Sequence, residues 1–336
     1  MKQPMEGPMA DLTTTYLGLK LQNPFIVSAS GLTASVDGVK KAVQAGAGAV
    51  VLKSLFEEQL RADVKNISIA PEEGAHPEAE FFLEQMGIHG GAGEYLSLIR
   101  DSKALAGKTP IIASVNCVEG DLWVDFAEQI ESAGADALEL NIAIFPPSSK
   151  ISSKELEDRL IAIVRNVSVR TKLPIAVKIG PYYTNPAALV DRLAGAGAKG
   201  AILFNRFYRF DLDLDARSLK AGPARSGEAE YHESLRWIAN LYGAVSCELI
   251  GGTGIHSAET ALKFIAVGAH AVQVCSLLYK SGWTAIPTLV SEMDKRLDRL
   301  GIPSVCSFRG ALSRLTSSQG ENYERLQYIR ALTGIA

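Results

Sequence analysis

Short apolar runs alternate with amphipathic segments along most of this chain. The runs are four or five residues long and apolar at nearly every position, as in strands that are buried on both faces. They are Phe25–Ser28, Ala49–Lys53, Pro110–Ser114, Ala137–Asn141, Pro174–Lys178, Ala201–Asn205, Cys247–Gly251 and Ala271–Cys275. The segments between them carry apolar residues at helical spacing, for example Ser153–Arg170, Ala187–Gly195, Ser257–Ala266 and Trp283–Leu300. This alternation predicts a parallel sheet covered by helices.

One helix-to-strand junction is repeated four times. Ala45–Lys53, Ala133–Asn141, Ala196–Asn205 and Val267–Cys275 each place a glycine where a helix should stop and an apolar strand directly after it. In a chain of 336 residues, these repeats predict a single (β/α)8 TIM barrel. Two predicted loops are long, Ser54–Gly90 after strand 2 and Arg206–Glu230 after strand 6, and loops of this length are more often functional than filler.

The two ends of the chain differ from the repeating part. Residues 1–10 are polar and contain proline, without the apolar stretch of a signal peptide, so we interpret them as a flexible leader. Residues 11–336 show no break in composition and are predicted to form one barrel domain. Its last part, from Pro303 to Ala336, is predicted to be a helical tail that packs on the barrel or on a partner subunit.

Composition narrows the possible functions. The formal net charge is −3, which argues against nucleic acid or an anionic membrane as the main partner. No apolar run reaches the roughly 20 residues that a membrane span needs. The four cysteines are scattered without a Cys-x-x-Cys pair, so we predict no metal site and a cytoplasmic location.

A glycine-rich turn follows the seventh predicted strand. It reads Ile250-Gly251-Gly252-Thr253-Gly254-Ile255 and precedes a predicted helix. Glycines let the main chain adopt positive φ and let an anion approach backbone N–H groups, and the helix behind the turn adds its positive dipole end. The next strand ends at a second turn of small residues, Cys275-Ser276. Two such turns after strands 7 and 8 form the phosphate site typical of β/α barrels.

Several strands end in a residue that can donate hydrogen bonds. These residues are Ser28, Lys53, Ser114, Asn141, Lys178 and Asn205. In a β/α barrel the carboxyl ends of the strands converge on one face, where the active site lies. Short donors on a rigid sheet suit a planar ligand that is rich in carbonyl oxygens and ring nitrogens.

With these residues in place, the chain resembles the dihydroorotate dehydrogenase family, FMN-dependent barrels that oxidise dihydroorotate to orotate in pyrimidine biosynthesis. The resemblance runs from about Leu17 to Leu300. The matching pieces are Asn23–Gly31, Lys53-Ser54, Met86–Ile88, Leu138–Asn141, Val177-Lys178, Phe204-Asn205, Gly251–Ile255 and Gln273–Ser276. The order of the pieces, more than any single piece, carries the resemblance.

The resemblance implies that one group of residues binds FMN. The residues implied to hold the phosphate are Gly227, Gly252, Thr253, Gly254, Cys275 and Ser276. Lys178 would face the pyrimidine edge of the flavin, where a cation stabilises the negative charge of the reduced ring. The residues implied to line the ring are Ala29, Ser30, Lys53, Ser54, Ser114 and Asn141. Residues 11–336 would then form an FMN-binding barrel.

The implied substrate is a small anion that carries ring amides. Its implied contacts are Lys53, Glu84, Met86, Gly87, Ile88, Asn141, Asn205 and Arg206. Lys53 and Asn141 are the predicted catalytic residues, and Lys53 is a natural partner for the substrate carboxylate.

The substrate shell departs from the family pattern. The family carries a Cys or Ser base in the loop after strand 4, in a segment that reads Asn-Leu-Ser-Cys-Pro-Asn or its serine version. Here that position is Ile144, which cannot accept a proton. Pro146 and Glu84 each replace a substrate-contacting asparagine, and Arg206 follows Asn205 where a small residue is usual. Glu84 and Ser148 are therefore the candidate bases, with His89 as a further possibility; a capping or turn role is the plainer interpretation of Ser148.

Three functions stay open on the sequence. The first is an FMN-dependent oxidoreductase acting on dihydroorotate or a related cyclic compound, resembling the soluble, class 1 branch of the family. That resemblance implies a homodimer, with electrons leaving to a small acceptor or to a partner subunit. The second is an FMN-binding paralogue that has lost the base, and the third is a Schiff-base aldolase acting on a sugar phosphate through Lys53 or Lys178.

Overall fold

A computed structural model describes residues 10–57, 91–117, 121–144, 148–206, 209–317 and 323–334. Within these residues, eight parallel strands form the centre of the fold: β1 (Phe25–Val27), β2 (Ala49–Val51), β3 (Ile111–Cys117), β4 (Ala137–Ile142), β5 (Ile175–Ile179), β6 (Ala198–Leu203), β7 (Glu248–Gly251) and β8 (Ala271–Val274). They close into a barrel in the order β2-β1-β8-β7-β6-β5-β4-β3, and β2 pairs with β3 to complete the ring. The predicted (β/α)8 TIM barrel is confirmed.

Helices follow the strands and cover the outside of the barrel. They are α1 (Val36–Gln44), α2 (Ala92–Ala106), α3 (Asp121–Ser132), α4 (Ser153–Ser168), α5 (Pro186–Gly195), α6 (His232–Leu241), α7 (Ala258–Ala266) and α8 (Ala285–Leu300). Their starts follow from local chemistry, because Ser35, Ser152, Asn185 and Ser257 accept a backbone hydrogen bond from the first turn. The glycines of the four repeated junctions all have positive φ, from +84° to +121°.

The strand bounds agree with the apolar runs to within a few residues. The largest difference at a carboxyl end is in β3, which was predicted to stop at Ser114 and continues to Cys117. The backbone of Asn116 and Cys117 still pairs with β4, and a short strand, Leu55–Phe56, pairs with β3 from the other side. A polar side chain at the mouth of a barrel therefore did not mark the end of this strand.

The remaining elements close the barrel or extend its loops. A hairpin, Thr14–Tyr16 and Leu19–Leu21, lies at the amino-terminal end of the strands. The long loop after β6 contains a second hairpin, Phe210–Asp213 and Ser218–Ala221. Short helical segments are Gly31–Thr33, Glu228–Tyr231, Ser276–Ser281, Val305–Phe308 and Arg314–Thr316, and the chain's last described helix is Tyr323–Thr333. The predicted loop after β2 lies largely outside the described residues.

Described residues near each end of the chain are bonded to the barrel. The N–H of Ala10, the last residue of the predicted leader, donates to Asp294 Oδ1 at 2.9 Å, while residues 1–9 lie outside the described part. In the tail, the N–H of Leu312 donates to the carbonyl of Ala266 at 2.8 Å. Arg236 of α6 makes two hydrogen bonds to Glu324, at 2.7 and 2.8 Å. The tail thus packs on the barrel over α6 and α7.

Two hydrophobic clusters hold the fold together. The larger one lies between the strands and the helices. The smaller one fills the lower barrel, where Tyr16, Leu17 and Leu21 of the amino-terminal hairpin pack against inward-facing strand residues. The strand residues of this inner cluster include Ile26, Val51, Ile112, Ala137, Ala176, Ile202, Ile250 and Ala271. The hairpin therefore seals one end of the barrel, and the site has to lie at the other.

Candidate functional site

The inside of the barrel changes from apolar to polar one step above the inner cluster. Side chains two residues apart on a strand face the same way. Moving two residues along each strand from the inner cluster gives Ser28, Lys53, Ser114, Glu139, Lys178, Phe204, Gly252 and Gln273. Most of these are polar, so the carboxyl end of the barrel presents a layer of hydrogen-bonding groups above the apolar inner cluster.

Lys178 is the centre of a buried polar network in this layer. The residue is 8% exposed, and its Nζ donates to Gln273 Oε1 at 2.8 Å and to Ser28 Oγ at 3.2 Å. Glu139 Oε1 lies 3.6 Å from the same Nζ, and Gln273 Nε2 donates to the other carboxylate oxygen of Glu139. The network fixes the ammonium at the floor of a cleft.

That cleft is partly open to solvent, and its empty volume of about 580 Å³ includes some of that open space. Its lining includes Ser28, Ala29, Lys178, Phe204, Asn205, Arg206, Ala224, Ser226, Gly252, Thr253, Gly254, Ile255, Gln273, Cys275 and Ser276. Two cations and no carboxylate appear among these described residues. The cleft therefore suits an anionic ligand.

The glycine-rich turn forms one wall of the cleft. Thr253 and Gly254 both have positive φ, +67° and +75°, and Thr253 Oγ1 donates to the carbonyl of Phe204 at 3.0 Å. A Cβ at Gly254 would lie 2.5 Å from the backbone nitrogen of Tyr231. Gly254 is thus required by its backbone conformation and by the close approach of the neighbouring chain.

Ser226 completes this wall, and the sequence analysis missed it. Its Oγ donates to Ser276 Oγ at 3.0 Å and accepts a long hydrogen bond, 3.4 Å, from the N–H of Gly254. Its own N–H donates to Ser276 Oγ at 2.9 Å. The predicted neighbour, Gly227, is exposed, and its N–H donates to Glu230 Oε1 at 2.6 Å. Hydroxyls from two loops thus meet beside a backbone N–H, a donor set that fits a phosphate.

Arg206 lies in the same cleft but is already held by a carboxylate. Its Nε donates to Glu230 Oε2 at 3.1 Å and its Nη1 to the carbonyl of Pro223 at 2.7 Å. Arg209 donates to the same oxygen of Glu230 at 2.9 Å. Burial raises the pKa of Glu230, but the Gly227 N–H and the two arginines outweigh it and hold that pKa below its ordinary value. The ionised Glu230 therefore braces this loop and offsets part of Arg206's charge.

The predicted ring-lining residues come together in pairs. Ser54 Oγ and Ser114 Oγ lie 2.8 Å apart. Burial raises the pKa of the Cys275 thiol, opposed by the charge of Lys178 and by a hydrogen bond with the Ser30 side chain, so Ser30 and Cys275 are neighbours. Lys53 is half-buried directly after β2, beside Ser54, and its N–H donates to the carbonyl of Thr33.

Two of the residues predicted to contact the substrate, Asn141 and Asn205, lie at the carboxyl ends of β4 and β6. Asn205 Nδ2 donates to Asn141 Oδ1 at 3.0 Å. Asn205 also lines a second cavity of about 1210 Å³, partly open to solvent, whose walls are mainly aliphatic and aromatic and include Ile144 and Tyr183. Ser148 does not reach either cavity, because it is exposed and its Oγ accepts a hydrogen bond from the N–H of Lys150 at 3.2 Å. The cap of α4 is Ser152.

The other substrate-side predictions fall outside the described residues. They are Glu84, Met86, Gly87, Ile88, His89 and Pro146. Among the residues that the structure does describe, none of the helices is long and apolar enough to cross a membrane. In the same residues, His, Cys, Asp and Glu side chains do not gather in a group of three or more that could hold a metal ion.

Comparison with known proteins decides which kind of barrel this is. A family model described as Dihydroorotate dehydrogenase matches residues 11–297 of the chain. The chain belongs to the dihydroorotate dehydrogenase family. The match covers every strand of the barrel and ends within α8, so the site described above lies entirely inside it and the tail lies beyond it.

Curated relatives within the family share one name. A protein from Thermoplasma volcanium called dihydroorotate dehydrogenase B (NAD(+)), catalytic subunit, is 29% identical over 282 residues, which are 82% of this chain and 89% of the relative. A protein of that name from Thermoplasma acidophilum is 26% identical over 297 residues, 86% and 95% of the two chains. One from Halalkalibacterium halodurans is 31% identical over 208 residues, 60% and 67% of the two chains.

The family assignment gives the cleft its general chemistry. The protein is an oxidoreductase of the dihydroorotate dehydrogenase type, which acts on CH–CH groups, and the family depends on a flavin. The described cleft fits such a cofactor in its charge, its glycine turn and its buried lysine. Glu139, Gln273 and Ser226 were not predicted as site residues from the sequence. The alternation of side chains along β4 and β8 could have placed Glu139 and Gln273 inside the barrel.

Proposed function

We propose that this protein is an FMN-dependent oxidoreductase that oxidises dihydroorotate, or a closely related small cyclic acid, in pyrimidine biosynthesis. The observation that carries the proposal is the buried Lys178 ammonium on the floor of a cleft that the Gly252–Gly254 turn also lines. One end of this cleft suits a phosphate and the other suits a polar ring that becomes negatively charged. Bound FMN would supply the two-electron acceptor for oxidation of a CH–CH bond.

Residues of this chain would bind and orient the cofactor. The Gly254 N–H and the hydroxyls of Ser226 and Ser276 would hold the phosphate, since they already converge on one another. Lys178, fixed by Ser28 and Gln273, would stabilise negative charge on the ring. Ala29, Ser30 and the Ser54–Ser114 pair would lie along the ring, in keeping with their family positions.

The substrate would lie over the Asn141–Asn205 pair, with Lys53 as the partner of its carboxylate. Amide side chains that bond to each other can rearrange to bind ring carbonyl and N–H groups. Ile144 cannot accept a proton, and Ser148 is exposed in a local turn. The proton acceptor is therefore proposed to come from the loop after β2, with Glu84 as the first candidate.

A second candidate function is an FMN-binding paralogue with another substrate. It is favoured by one observation. Ile144, at the position of the family base, lines a mainly apolar cavity, and Asn205 lines both this cavity and the cleft. The Schiff-base aldolase has less support. Lys178 donates to two oxygens and faces a carboxylate, which stabilises the ammonium, whereas a Schiff base needs the neutral amine.

The proposed partners follow from the relatives' name. Each relative is called a catalytic subunit, so we propose that a separate subunit takes the electrons from the flavin of this protein as well. The homodimer and the cytoplasmic location stay predictions.

Anaerobic reduction of the FMN-loaded protein by dihydroorotate tests the proposal. The yellow flavin spectrum is expected to bleach on mixing. The variant Asn205→Ala is expected to keep its FMN but to bleach at least tenfold more slowly, because it loses an oriented contact to the substrate. A loaded wild-type protein that stays oxidised would reject dihydroorotate as the substrate and favour the paralogue.

A further inference from the structure

Glu139 is a buried carboxylate to which neither the family resemblance nor the cleft assigns a role. It lies in the middle of β4, is 1% exposed, and faces into the barrel. One of its oxygens accepts a hydrogen bond from Gln273, and the other, Oε1, lies 3.6 Å from Lys178 Nζ. This second oxygen has no hydrogen-bond partner among the described residues.

A buried ion pair of this kind is expensive. Removing two charges from water costs several kcal/mol per ion, and apolar residues in the same place often give an equal or higher stability. The pair is therefore poorly explained by stability. The carboxylate also lies beside an ammonium at the floor of the cleft, so we consider its effect on a ligand above Lys178.

Other titratable groups close to the pair are held neutral. Burial raises the pKa values of Tyr95 and Tyr16 above the ordinary value of a tyrosine, and it also raises the pKa of the Cys275 thiol. At neutral pH these three groups carry no charge. Lys178 and Glu139 are then the charged groups of the buried network at the floor of the cleft, and Arg206 is a further cation in its lining.

We propose that Glu139 is a positioning residue that holds Lys178 toward the cleft and offsets its charge, and thereby sets how strongly the site prefers reduced over oxidised flavin. This inference rests on the proposed flavin site. Two hydrogen-bond acceptors, Ser28 and Gln273, and the Glu139 carboxylate surround the ammonium, so its position is fixed before a ligand binds. Because Glu139 is negative, it lowers the attraction between Lys178 and an anionic reduced ring.

The test is Glu139→Gln, which keeps the shape and removes the charge. The preference for reduced over oxidised FMN is expected to rise about tenfold, which for a two-electron couple raises the midpoint potential by about 30 mV. The potential is read by equilibrating the loaded protein with a reference dye under a reductant. Glu139→Met removes the same charge without burying an amide. It is the variant to use if Glu139→Gln does not fold.

Glu248→Gln is the matched control. Glu248 also faces the barrel interior, but it lies four residues below Gly252 on β7, about 13 Å along the strand. It accepts a hydrogen bond from the Leu17 N–H at the sealed end. Its loss is expected to leave the potential of bound FMN unchanged. Equal shifts in the two variants would overturn the inference, because they would reflect net charge and not the Lys178 pair.

A second measurement needs no cofactor. In the cofactor-free protein, Lys178 of Glu139→Gln is expected to react several times faster with acetic anhydride, measured by mass spectrometry, because a nearby carboxylate protects the ammonium. Wild-type protein that binds no FMN would reject the proposed function. Wild-type protein that binds FMN, with neither the potential nor the labelling changed in Glu139→Gln, would reject the inference alone.

Discussion

The two ends of the barrel use the same kinds of residue for different purposes. At the sealed end, Glu248 accepts a hydrogen bond from the Leu17 N–H of the amino-terminal hairpin. At the open end, Glu139 faces Lys178 beneath a cleft. The surroundings of a carboxylate, more than its burial, thus decide whether it belongs to the fold or to the site.

Two glycines make the same contrast. Gly18 in the hairpin and Gly254 in the cleft wall have the same φ, +75°. A Cβ at Gly18 would meet nothing within 4 Å, whereas at Gly254 it would lie 2.5 Å from the Tyr231 nitrogen. Changes at the open end should therefore alter ligand binding, and changes at the sealed end should alter stability alone.

Lys178→Ala should have the largest effect. It removes the cation that faces the ring and leaves Glu139 buried without its partner, so FMN affinity should fall about 100-fold, with a loss of about 3 kcal/mol in the free energy of unfolding. Fluorescence titration with FMN and urea unfolding measure the two quantities. Arg309→Ala removes a cation at the sealed end, where Arg309 bonds to Thr14 Oγ1, and should leave FMN affinity unchanged. Unaltered FMN affinity in Lys178→Ala would contradict the assignment of the open end.

Ile144→Cys should produce the next largest effect, a gain. A thiol at the family's base position supplies general base catalysis, typically worth about 10² to 10⁴ in rate. Flavin reduction by dihydroorotate, followed by anaerobic stopped-flow absorbance, should speed up by at least tenfold if the base is the missing part. Ala143→Cys places a thiol one residue earlier and should give no gain. The same rate in Ile144→Cys and wild type would point to a different substrate.

Gly254→Ala should weaken FMN binding about tenfold, since the turn must shift away from Tyr231. Its cost in the free energy of unfolding should exceed the roughly 1 kcal/mol expected for positive φ alone. Gly18→Ala should show that smaller loss of stability with normal FMN affinity. Calorimetry on both variants, with and without FMN, separates the two contributions. Identical behaviour of the pair would mean that the crowding at Gly254 has no consequence.

The smallest effect concerns pH at the sealed end. Burial, and then the charge of Arg309, lower the pKa of His270 to about 4 from an ordinary 6.5. Between pH 4 and pH 6.5 the folded protein thus binds fewer protons than the unfolded chain. The contribution of His270 to the free energy of unfolding is therefore complete above pH 6.5 and falls as the pH drops toward 4. About 1–2 kcal/mol should be lost between pH 7 and pH 5. Urea unfolding of wild type and His270→Asn checks this, since the variant should lose less over that range while FMN affinity stays the same.

The repeating architecture was predictable because it is local in the sequence. The apolar runs and the junction glycines act within a few residues, and each led to an element that the structure contains. The Gly252–Gly254 turn and the strand-end residues Lys178 and Asn205 were predicted for the same reason, and they line one cleft.

The missed residues depend on distant parts of the chain. Ser226 becomes part of the site only because a loop brings it to Ser276, 50 residues away in the sequence. Glu139 and Gln273 lie inside apolar strands and become a network only when the sheet closes. Arg206 was predicted and lines the cleft, and its contact with the substrate stays a prediction; its hydrogen bonds to Glu230 and Pro223 are what a linear sequence does not reveal.

Binding of FMN and of riboflavin to the cofactor-free protein tests the central claim most directly. We expect one FMN to bind per chain. The affinity for riboflavin should be lower by at least about 100-fold, because riboflavin lacks the phosphate that Gly254, Ser226 and Ser276 would hold with charge-assisted hydrogen bonds. Equal affinities would contradict the phosphate site at the Gly252–Gly254 turn. Failure of both ligands to bind would contradict the flavin site at the open end of the barrel.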